Sequence, residues 1–360
     1  MSADGRKLSV YFGEGDRAGG RLLSDALMDL LARHEALASV LLRGVEGFGI
    51  TQRLRTDRLL SLSEDLPLVV VAVDTRARID RLVEPVTALL GGGLVTVERV
   101  ALPDHGLAGD PSPPAGDEDA KLTVYCGRGE ERDGRPVLRT VLDVLRGAGL
   151  SGATVLAGLD GTVAGERRRA RFLSRNTGVP AMVLSVGPGA ALAAALPRLR
   201  ALLPGRHVIT LERVRVVRHD GRVTGDLPAP PAADPGGLAL WQRVSVFAGE
   251  RERWEGGPLH ARLVRRLREA DAAGVTVLRG LTGFSQGGPV HADHLWGVRR
   301  RTPVLVTMID TVPEIARLWP VVARATASAG LVTCEVVPAA RAAGPGAIRG
   351  GLRLADTSAP

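Results

Sequence analysis

Two glycines three residues apart recur at one place in three parts of the chain. The stretches read LLRGVEGFG from Leu41, VLAGLDGTV from Val155 and VLRGLTGFS from Val277. Glycine lets a ligand approach the backbone, whose amides can bind an anion, and a neighbouring arginine can pair with a phosphate. The pattern predicts anion-binding elements made by Arg43, Gly44, Gly47 and Phe48 and by Arg279, Gly280, Gly283 and Phe284.

The middle copy weakens this prediction because it keeps the glycines, Gly158 and Gly161, but has Ala157 and Thr162 in place of arginine and phenylalanine. A turn that only starts the following loop is the alternative. Each loop is long and polar, which favours either a functional or a disordered segment. Its arginines either face an acidic ligand or partner or form a solvated charged run; they are Arg53, Arg55, Arg58, Arg167, Arg168, Arg169, Arg171, Arg299, Arg300 and Arg301.

Other chemistry has little support in the sequence. His291 and His294 are the only closely spaced histidines and could be part of a metal site, but the other copies have no such pair, so we predict no metal. No nucleophile with its base, no phosphate loop of the Walker type and no carboxylate pair of known spacing is present, so we predict no catalytic residue and no enzyme. Cys126 and Cys334 fall at apolar strand positions and are expected to be buried small hydrophobes.

The elements that position these residues form a threefold repeat. KLSVYFGEG from Lys7 returns as KLTVYCGRG from Lys121 and RVSVFAGER from Arg243. Alternating and helical hydrophobic spacing then predicts the order βαββαβ in each copy. The expected organisation is repeat 1 at 7–102, a linker at 103–120, a divergent repeat 2 at 121–217, a linker at 218–240, repeat 3 at 241–339 and a flexible tail at 340–360.

This order predicts an α+β class with three tandem ferredoxin-like repeats, each an antiparallel sheet with two helices on one face. On the other face the copies repeat an aromatic and a Thr-x-Glu pair: Tyr11, Tyr125 and Phe247, then Thr96, Glu98, Thr210, Glu212, Thr333 and Glu335. We expect these faces to pack on one another around a central axis, as a pseudo-trimer within one chain. A face that stacks RNA bases would need aromatics on the central strands, and 68–73 has none.

Composition agrees with a globular protein without a membrane span. The chain has 360 residues, 45% of them hydrophobic, and a formal net charge of +8. Arginine carries nearly all the positive charge, beside only Lys7 and Lys121, so a general coding bias explains it as well as nucleic-acid binding does. No apolar run approaches the roughly 18 residues that span a bilayer, and MSADGRKLSV lacks a signal-peptide core. We expect a cytoplasmic protein.

The first copy resembles a known family in four stretches: KLSVYFGEGD, RGVEGFG, LSLSEDLPLVVVAVD and GLVTVERV. Together they resemble the uncharacterised domain of unknown function 190, a family of the PII-like signalling superfamily. The likeness is close in repeat 1, good in repeat 3 and limited to strands and glycines in repeat 2. Family members are single domains that form trimers, so the resemblance implies a monomer that acts as a PII-like pseudo-trimer.

The resemblance also implies a small-molecule sensor that binds an adenine nucleotide, ATP, ADP or a relative, in clefts between neighbouring units. The resemblance implies no cofactor beyond this nucleotide ligand. The implied cleft residues are Gly47, Phe48, Gly49, Gly91, Gly92 and Gly93 in repeat 1, and Gly283, Phe284, Ser285, Ala329 and Gly330 in repeat 3. The long loop would dock on a partner such as a membrane transporter or a channel of the fluoride type. The alternative is a structural or divalent-metal-binding trimer-like protein without a nucleotide.

Overall fold

The computed structural model describes residues 4–49, 54–56, 65–103, 118–170, 178–203, 207–285, 302–344 and 346–357. It is a mixed α/β structure with three copies of one unit, which confirms the repeats. Repeat 1 contains β1 (Asp4–Gly13), β2 (Arg17–Ala18), β3 (Arg21–Leu22), α1 (Leu23–Arg33), β4 (Ala38–Arg43), β5 (Glu46–Phe48), β6 (Arg55–Thr56), β7 (Pro67–Thr75), α2 (Arg76–Leu89) and β8 (Gly93–Ala101).

The second and third copies follow the same order. Repeat 2 contains β9 (Asp119–Gly127), β10 (Glu131–Arg132), β11 (Arg135–Pro136), α3 (Val137–Gly147), β12 (Gly152–Ala157), β13 (Asp160–Val163), β14 (Glu166–Arg169), β15 (Pro180–Pro188), α4 (Gly189–Leu202) and β16 (Val208–Arg213), and is followed by β17 (Arg215–His219) and β18 (Arg222–Val223). Repeat 3 contains β19 (Trp241–Gly249), β20 (Arg253–Trp254), β21 (Gly257–Pro258), α5 (Leu259–Glu269), β22 (Val275–Arg279), β23 (Thr282–Ser285), β24 (Pro303–Thr311), α6 (Val312–Ala325) and β25 (Leu331–Val337), and is followed by β26 (Ala339–Gly344) and β27 (Ala347–Gly351).

The main strands of each repeat are antiparallel in one order. They run β4-β7-β1-β8, then β12-β15-β9-β16, then β22-β24-β19-β25. Helices cover one face because apolar residues at helical spacing meet the alternate residues of the strands. In repeat 1, Leu27 and Leu82 pack with Leu8 and Val10 of the first strand. A proline lies inside each of α2, α4 and α6, and each helix continues past it.

Short strands join the repeats in a closed cycle. After its second main strand, each repeat pairs a strand with the second main strand of another repeat: β13 with β4, β23 with β12 and β5 with β22. Repeat 2 thus reaches repeat 1, repeat 3 reaches repeat 2, and repeat 1 reaches repeat 3. These pairings cover strand edges that would otherwise expose unpaired backbone groups.

The segments after the fourth strands differ from expectation. Residues 340–360 were expected to form a flexible tail, but β26 pairs with β8 and β27 returns along β26, making a C-terminal hairpin. In the linker after repeat 2, β17 pairs with β25 and with β18 in an equivalent linker hairpin. The Gly/Ala-rich sequence of the C-terminal segment does not predict strands, because these strands are stabilised by pairing with a distant repeat and not by local propensity.

The inward sheet faces meet around six buried charged side chains, here called the charge ring: Lys7, Glu212, Lys121, Glu335, Arg243 and Glu98. Lys7 pairs with Glu212 and Glu98, Lys121 with Glu335 and Glu212, and Arg243 with Glu98 and Glu335. Each carboxylate therefore bridges two cations. The Thr-x-Glu residues singled out in the sequence are buried here between the repeats.

Candidate ligand site between repeats 1 and 3

A cavity of about 430 Å³ lies at the boundary of repeats 1 and 3, beside the C-terminal hairpin. Its volume falls within the range of small-molecule sites. Strands β1, β19 and β24, the turn before β8 and the hairpin supply its walls. The lining includes Tyr11, Phe48, Gly49, Gly91, Gly92, Gly93, Trp241, Thr276, Thr307, Arg17, Arg55 and Arg349.

Trp241 supplies the largest aromatic surface. It begins β19, is 1% exposed and lines the cavity. Its indole Nε1, a donor, has no hydrogen-bond partner among the described residues. The guanidinium of Arg349 lies 5.8 Å from the centre of the indole ring, within the range of a cation–π contact. The indole is therefore a buried part of the wall beneath Arg349, and its Nε1 lies beside Gly350 of the C-terminal hairpin, where a Cβ would meet it at 3.1 Å.

Tyr11 borders the cavity from repeat 1 and is linked to the charge ring. Its hydroxyl oxygen accepts a hydrogen bond from Nη2 of Arg243 at 3.4 Å. Burial raises the pKa of Tyr11, since its phenolate would lose hydration. The neutral phenol of Tyr11 therefore forms part of the cavity wall. Its hydrogen bond with Arg243 connects this wall to the charge ring.

The turn between α2 and β8 gives the cavity a backbone surface. Gly93 has φ +109, and a Cβ there would overlap the carbonyl oxygen of Tyr11, so only glycine fits. A Cβ on Gly91 would meet nothing within 4 Å. Gly93 is thus required by the fold, whereas Gly91 leaves space for a ligand.

Three arginines line the cavity with one carboxylate, Asp16. Arg55 pairs with Asp65 at 2.7 Å, and Arg17 donates to the carbonyl oxygen of Gly20 at 2.9 Å. Arg349 has a half-exposed side chain that lies 3.7 Å from Asp310. Asp16 accepts from the amide of Gly13 at 2.9 Å. The balance of charge favours an anionic ligand.

Among the residues predicted for repeat 1, Phe48, Gly49 and Gly91 to Gly93 line this cavity, and Arg43, Gly44 and Gly47 do not. The amide of Gly44 donates to the carbonyl of Pro67 at 2.8 Å, so it is not available to an anion. Gly47 lies opposite Thr276 in the pairing of β5 with β22, where a Cβ would overlap the carbonyl oxygen of Val275. The glycine spacing thus has a structural cause, and a ligand role for both glycines stays a prediction.

The arginines beside these glycines bind acidic residues of their own repeat. Arg43 donates to Glu14 at 2.8 Å, and Arg279 lies 2.9 Å from Glu250, the equivalent residue of repeat 3. Repeat 2 has lost both members, since Ala157 and Arg128 stand at the two positions. The paired loss is consistent with an internal ion pair, and phosphate binding by these arginines stays a prediction.

Phe48 and Phe284 also pack across the boundaries. Phe48 is 4% exposed and belongs to the core of repeat 3, while one side borders the cavity. Phe284 is 5% exposed in the core of repeat 2. In the equivalent place of repeat 2, the amide of Thr162 donates to Oγ of Ser39 in repeat 1 at 3.1 Å. Phe48 and Phe284 thus extend the core of a neighbouring repeat, and Thr162 makes a polar contact at the equivalent boundary.

The glycines predicted at the end of the second main strand of repeat 3 make the same contacts as Gly44 and Gly47 in repeat 1. Gly280 donates to the carbonyl of Pro303, and Gly283 lies opposite Thr154 in the pairing of β23 with β12. Ser285 ends β23, and its side chain lies outside the described part. Gly330, which follows Ala329, has φ +88, and its carbonyl accepts from the amide of Asp220 at 2.8 Å. The linker hairpin therefore lies against this turn.

The arginine-rich loop of repeat 2 binds carboxylates within the chain. Arg167 donates to Asp29 of repeat 1 at 2.6 Å and to Asp160, and Arg169 lies 2.8 Å from Asp25. These pairs hold the loop against α1. Arg53, Arg58, Arg171, Arg299, Arg300 and Arg301, with His291 and His294, lie outside the described residues.

Two other sets of residues, three glutamates and two cysteines, belong to residue types that can bind metals. Carboxylate oxygens of Glu98, Glu212 and Glu335 lie within 4.8 Å of one another. The cations of the charge ring already lie between these carboxylates, so the cluster is neutralised without a metal. Cys126 and Cys334 are free and buried, and burial raises the pKa of both thiols to about 12, as expected for small core residues.

Comparison with known proteins places the chain in a family. The sequence model of domain of unknown function 190, described as an uncharacterised ACR, matches residues 5–102, 119–216 and 241–339. The chain belongs to this family, as the sequence motifs indicated. It is 31% identical over 74 residues to a UPF0166 protein of Aquifex aeolicus (strain VF5), covering 21% of this chain and 70% of the relative.

One solved structure, described as a crystal structure study of an anthrone oxidase-like protein, shares 15% identity. The match covers 64% of this chain and 99% of that one, with a TM-score of 0.18, which is too low to compare folds. Among the described residues, no helix has the length and apolar character that crossing a membrane requires.

Proposed function

We propose that this chain is a PII-like regulatory protein that binds an adenine nucleotide at a boundary between repeats and passes the signal to a partner without catalysis. The cavity between repeats 1 and 3 carries the proposal. Membership of the family and likeness to a UPF0166 protein support the regulatory class. The closed strand pairing and the charge ring support an intramolecular pseudo-trimer of ferredoxin-like repeats.

The chemistry of the cavity fits a nucleotide. Tyr11 offers a flat surface for a base above the buried indole of Trp241 in the cavity wall, and the turn at Gly91 offers close backbone approach. Arg17, Arg55 and Arg349 offer cations for phosphate groups, which guanidinium groups bind with paired hydrogen bonds. A cavity of about 430 Å³ suits a ligand of this size class.

The experiment is a calorimetric titration of the purified full-length chain with ATP, ADP, AMP and GTP. We expect micromolar binding of at least one adenine nucleotide and a change in tryptophan fluorescence. The Trp241→Phe variant should lose that change, whereas Trp319→Phe, in α6, should retain it. Absence of binding across the nucleotides would contradict the proposal, as would a fluorescence change that survives in Trp241→Phe.

The partner is proposed from the family resemblance: a membrane transporter or a channel of the fluoride type, contacted through the long loops. Its test is recruitment of the chain to vesicles that contain such a channel, with and without ATP. Empty vesicles of the same lipids are the control. Equal recruitment to both kinds of vesicle would contradict a partner of this type.

A further inference from the structure

The three boundaries carry different residues at the place where Trp241 borders the cavity. Trp241 stands two residues before Arg243 of the charge ring. The residues two positions before Lys7 and Lys121 are Gly5 and Asp119. Asp119 accepts a hydrogen bond from the amide of Val216 at 3.1 Å, so it is engaged by the linker. Trp241 is therefore the one aromatic residue at these three positions, and Arg349 lies over its buried indole.

The two hairpins place an arginine at one equivalent position. Arg349 of β27 lies opposite Ala342, which lies opposite Leu94. Arg222 of β18 lies opposite His219, which lies opposite Leu331. Leu94 and Leu331 both stand two residues before the threonine of a Thr-x-Glu pair, so they occupy the same position in their repeats. Arg349 and Arg222 therefore occupy equivalent positions in the two hairpins. The hairpins thus present the same side chain to two different boundaries.

The surroundings of these arginines differ in charge. Arg349 lies over the indole of Trp241 and lines the cavity with two further arginines. At the turn beside the linker hairpin, Asp220 lies against Gly330, and Glu252 lies close by. Burial, and then the negative charge of Asp220, raises the pKa of Glu252, so this boundary disfavours added negative charge.

We propose that the chain has one site for an anionic planar ligand, at the boundary of repeats 1 and 3, and that Arg349 of the C-terminal hairpin, which lies over the buried indole of Trp241, binds its phosphate group. This inference rests on the proposed function and deepens it, because it names one site of three, the ligand class and the residues that distinguish that site. The C-terminal hairpin is then part of the site.

The test is calorimetry of the full-length chain with ATP, AMP and adenosine. We expect about one ATP per chain. Arg349→Ala should raise the Kd for ATP about tenfold or more and that for adenosine much less, because the lost contacts are charge-assisted hydrogen bonds to phosphate. Arg222→Ala, the matched change in the linker hairpin, should leave both values and the stoichiometry unchanged. Arg349→Lys should recover part of the affinity because it restores the positive charge.

A thermal melt of each variant shows whether a loss of affinity comes from a lost ligand contact or from a loss of folding. Three ATP per chain, or equal losses in Arg349→Ala and Arg222→Ala, would overturn the single site while leaving nucleotide binding in place. Unchanged ATP affinity in Arg349→Ala would overturn the role of Arg349 while leaving nucleotide binding in place. If the wild-type chain binds none of the probes, both this inference and the proposed function are wrong.

Discussion

Nζ of Lys121 lies 2.6 Å from the carboxylate of Glu335, although 214 positions separate the two residues. Both side chains are buried, at 7% and 4% exposure. The pair joins repeats 2 and 3, as Lys7 with Glu212 joins repeats 1 and 2. A buried pair is more costly to break than to replace, because one partner remains as an unpaired charge.

Removing one member of this pair should destabilise the whole chain. We expect Lys121→Met to lower the free energy of unfolding by about 3–5 kcal/mol, the usual cost of leaving a buried charge unpaired. The double variant Lys121→Met with Glu335→Leu should lose less than the single one. Urea unfolding followed by circular dichroism measures both. Arg266→Ala, which breaks exposed pairs with Glu255 and Glu269, is the control and should cost under about 1 kcal/mol.

The charge ring predicts the pH dependence of stability. Burial alone would raise the pKa of Glu98 and Glu335, but Arg243 and Lys7 act on Glu98, and Lys121 and Arg243 act on Glu335, so both pKa values lie below the ordinary 4.5. Depressed carboxyl pKa values stabilise the fold above pH 4.5, and that stability is lost as pH falls toward the folded-state pKa values. Thermal melts from pH 7 to pH 3 should show this acid loss, and Glu335→Gln should reduce its slope. A melting temperature that is constant down to pH 3 would contradict the expectation.

Lys7 extends the prediction to alkaline pH. Burial lowers its pKa, but Glu212 and Glu98 raise it more, so the folded-state pKa lies above the ordinary 10.5. A raised lysine pKa stabilises the fold below pH 10.5, and this contribution disappears as pH rises through the folded-state value. Melts between pH 9 and pH 12 should therefore fall only beyond about 10.5. An earlier fall that Lys7→Met removes would contradict this sign.

Gly93 and Gly91 form a matched pair for testing the turn beside the cavity. Gly93→Ala should destabilise the chain by about 1–3 kcal/mol, because its backbone is left-handed and a Cβ would overlap Tyr11. Gly91→Ala should change stability by well under 1 kcal/mol, as its Cβ meets nothing within 4 Å, but should weaken a ligand that fills that space. Chemical unfolding and nucleotide titration together distinguish the two. Equal stability losses would show that the turn is not as described.

Arg43 offers a direct test of the phosphate role predicted from its sequence position. Its pair with Glu14 is exposed, so Arg43→Ala should cost under about 1 kcal/mol of stability. Since Arg43 lies outside the cavity lining, the affinity for ATP should also stay within about twofold. Arg279→Ala, with its pair to Glu250, is the equivalent change in repeat 3. A tenfold loss of ATP affinity in either variant would restore the phosphate role.

The repeats, their helices and the inward faces could be predicted because alternating and helical spacing repeats in each copy. The charge ring was missed although the sequence contains its signal. The only two lysines and Arg243 stand at one position of the repeat, and three glutamates stand at another. Strands β1 and β8 pair Lys7 with Glu98, and the equivalent register pairs Arg243 with Glu335. Residue type and register together would have predicted buried ion pairs.

Other features could not be predicted from local pattern. Gly44 and Gly47 looked like ligand-binding glycines because close approach of a ligand and close approach of another strand require the same absence of a Cβ. Only the position of β22 decides between them. The C-terminal hairpin depends on pairing with β8, more than 240 positions earlier, which composition does not report. Trp241 has no counterpart in the other copies, so repetition gave no reason to select it.

The cycle of strand pairings lies within one covalent chain, and this has a consequence for assembly. Three separate domains would close such a ring only above a threshold concentration, whereas joined domains meet at an effective concentration set by their linkers. Closure, and the unfolding midpoint with it, should then be independent of dilution. A chain present in few copies per cell would then keep its repeat boundaries intact at any expression level.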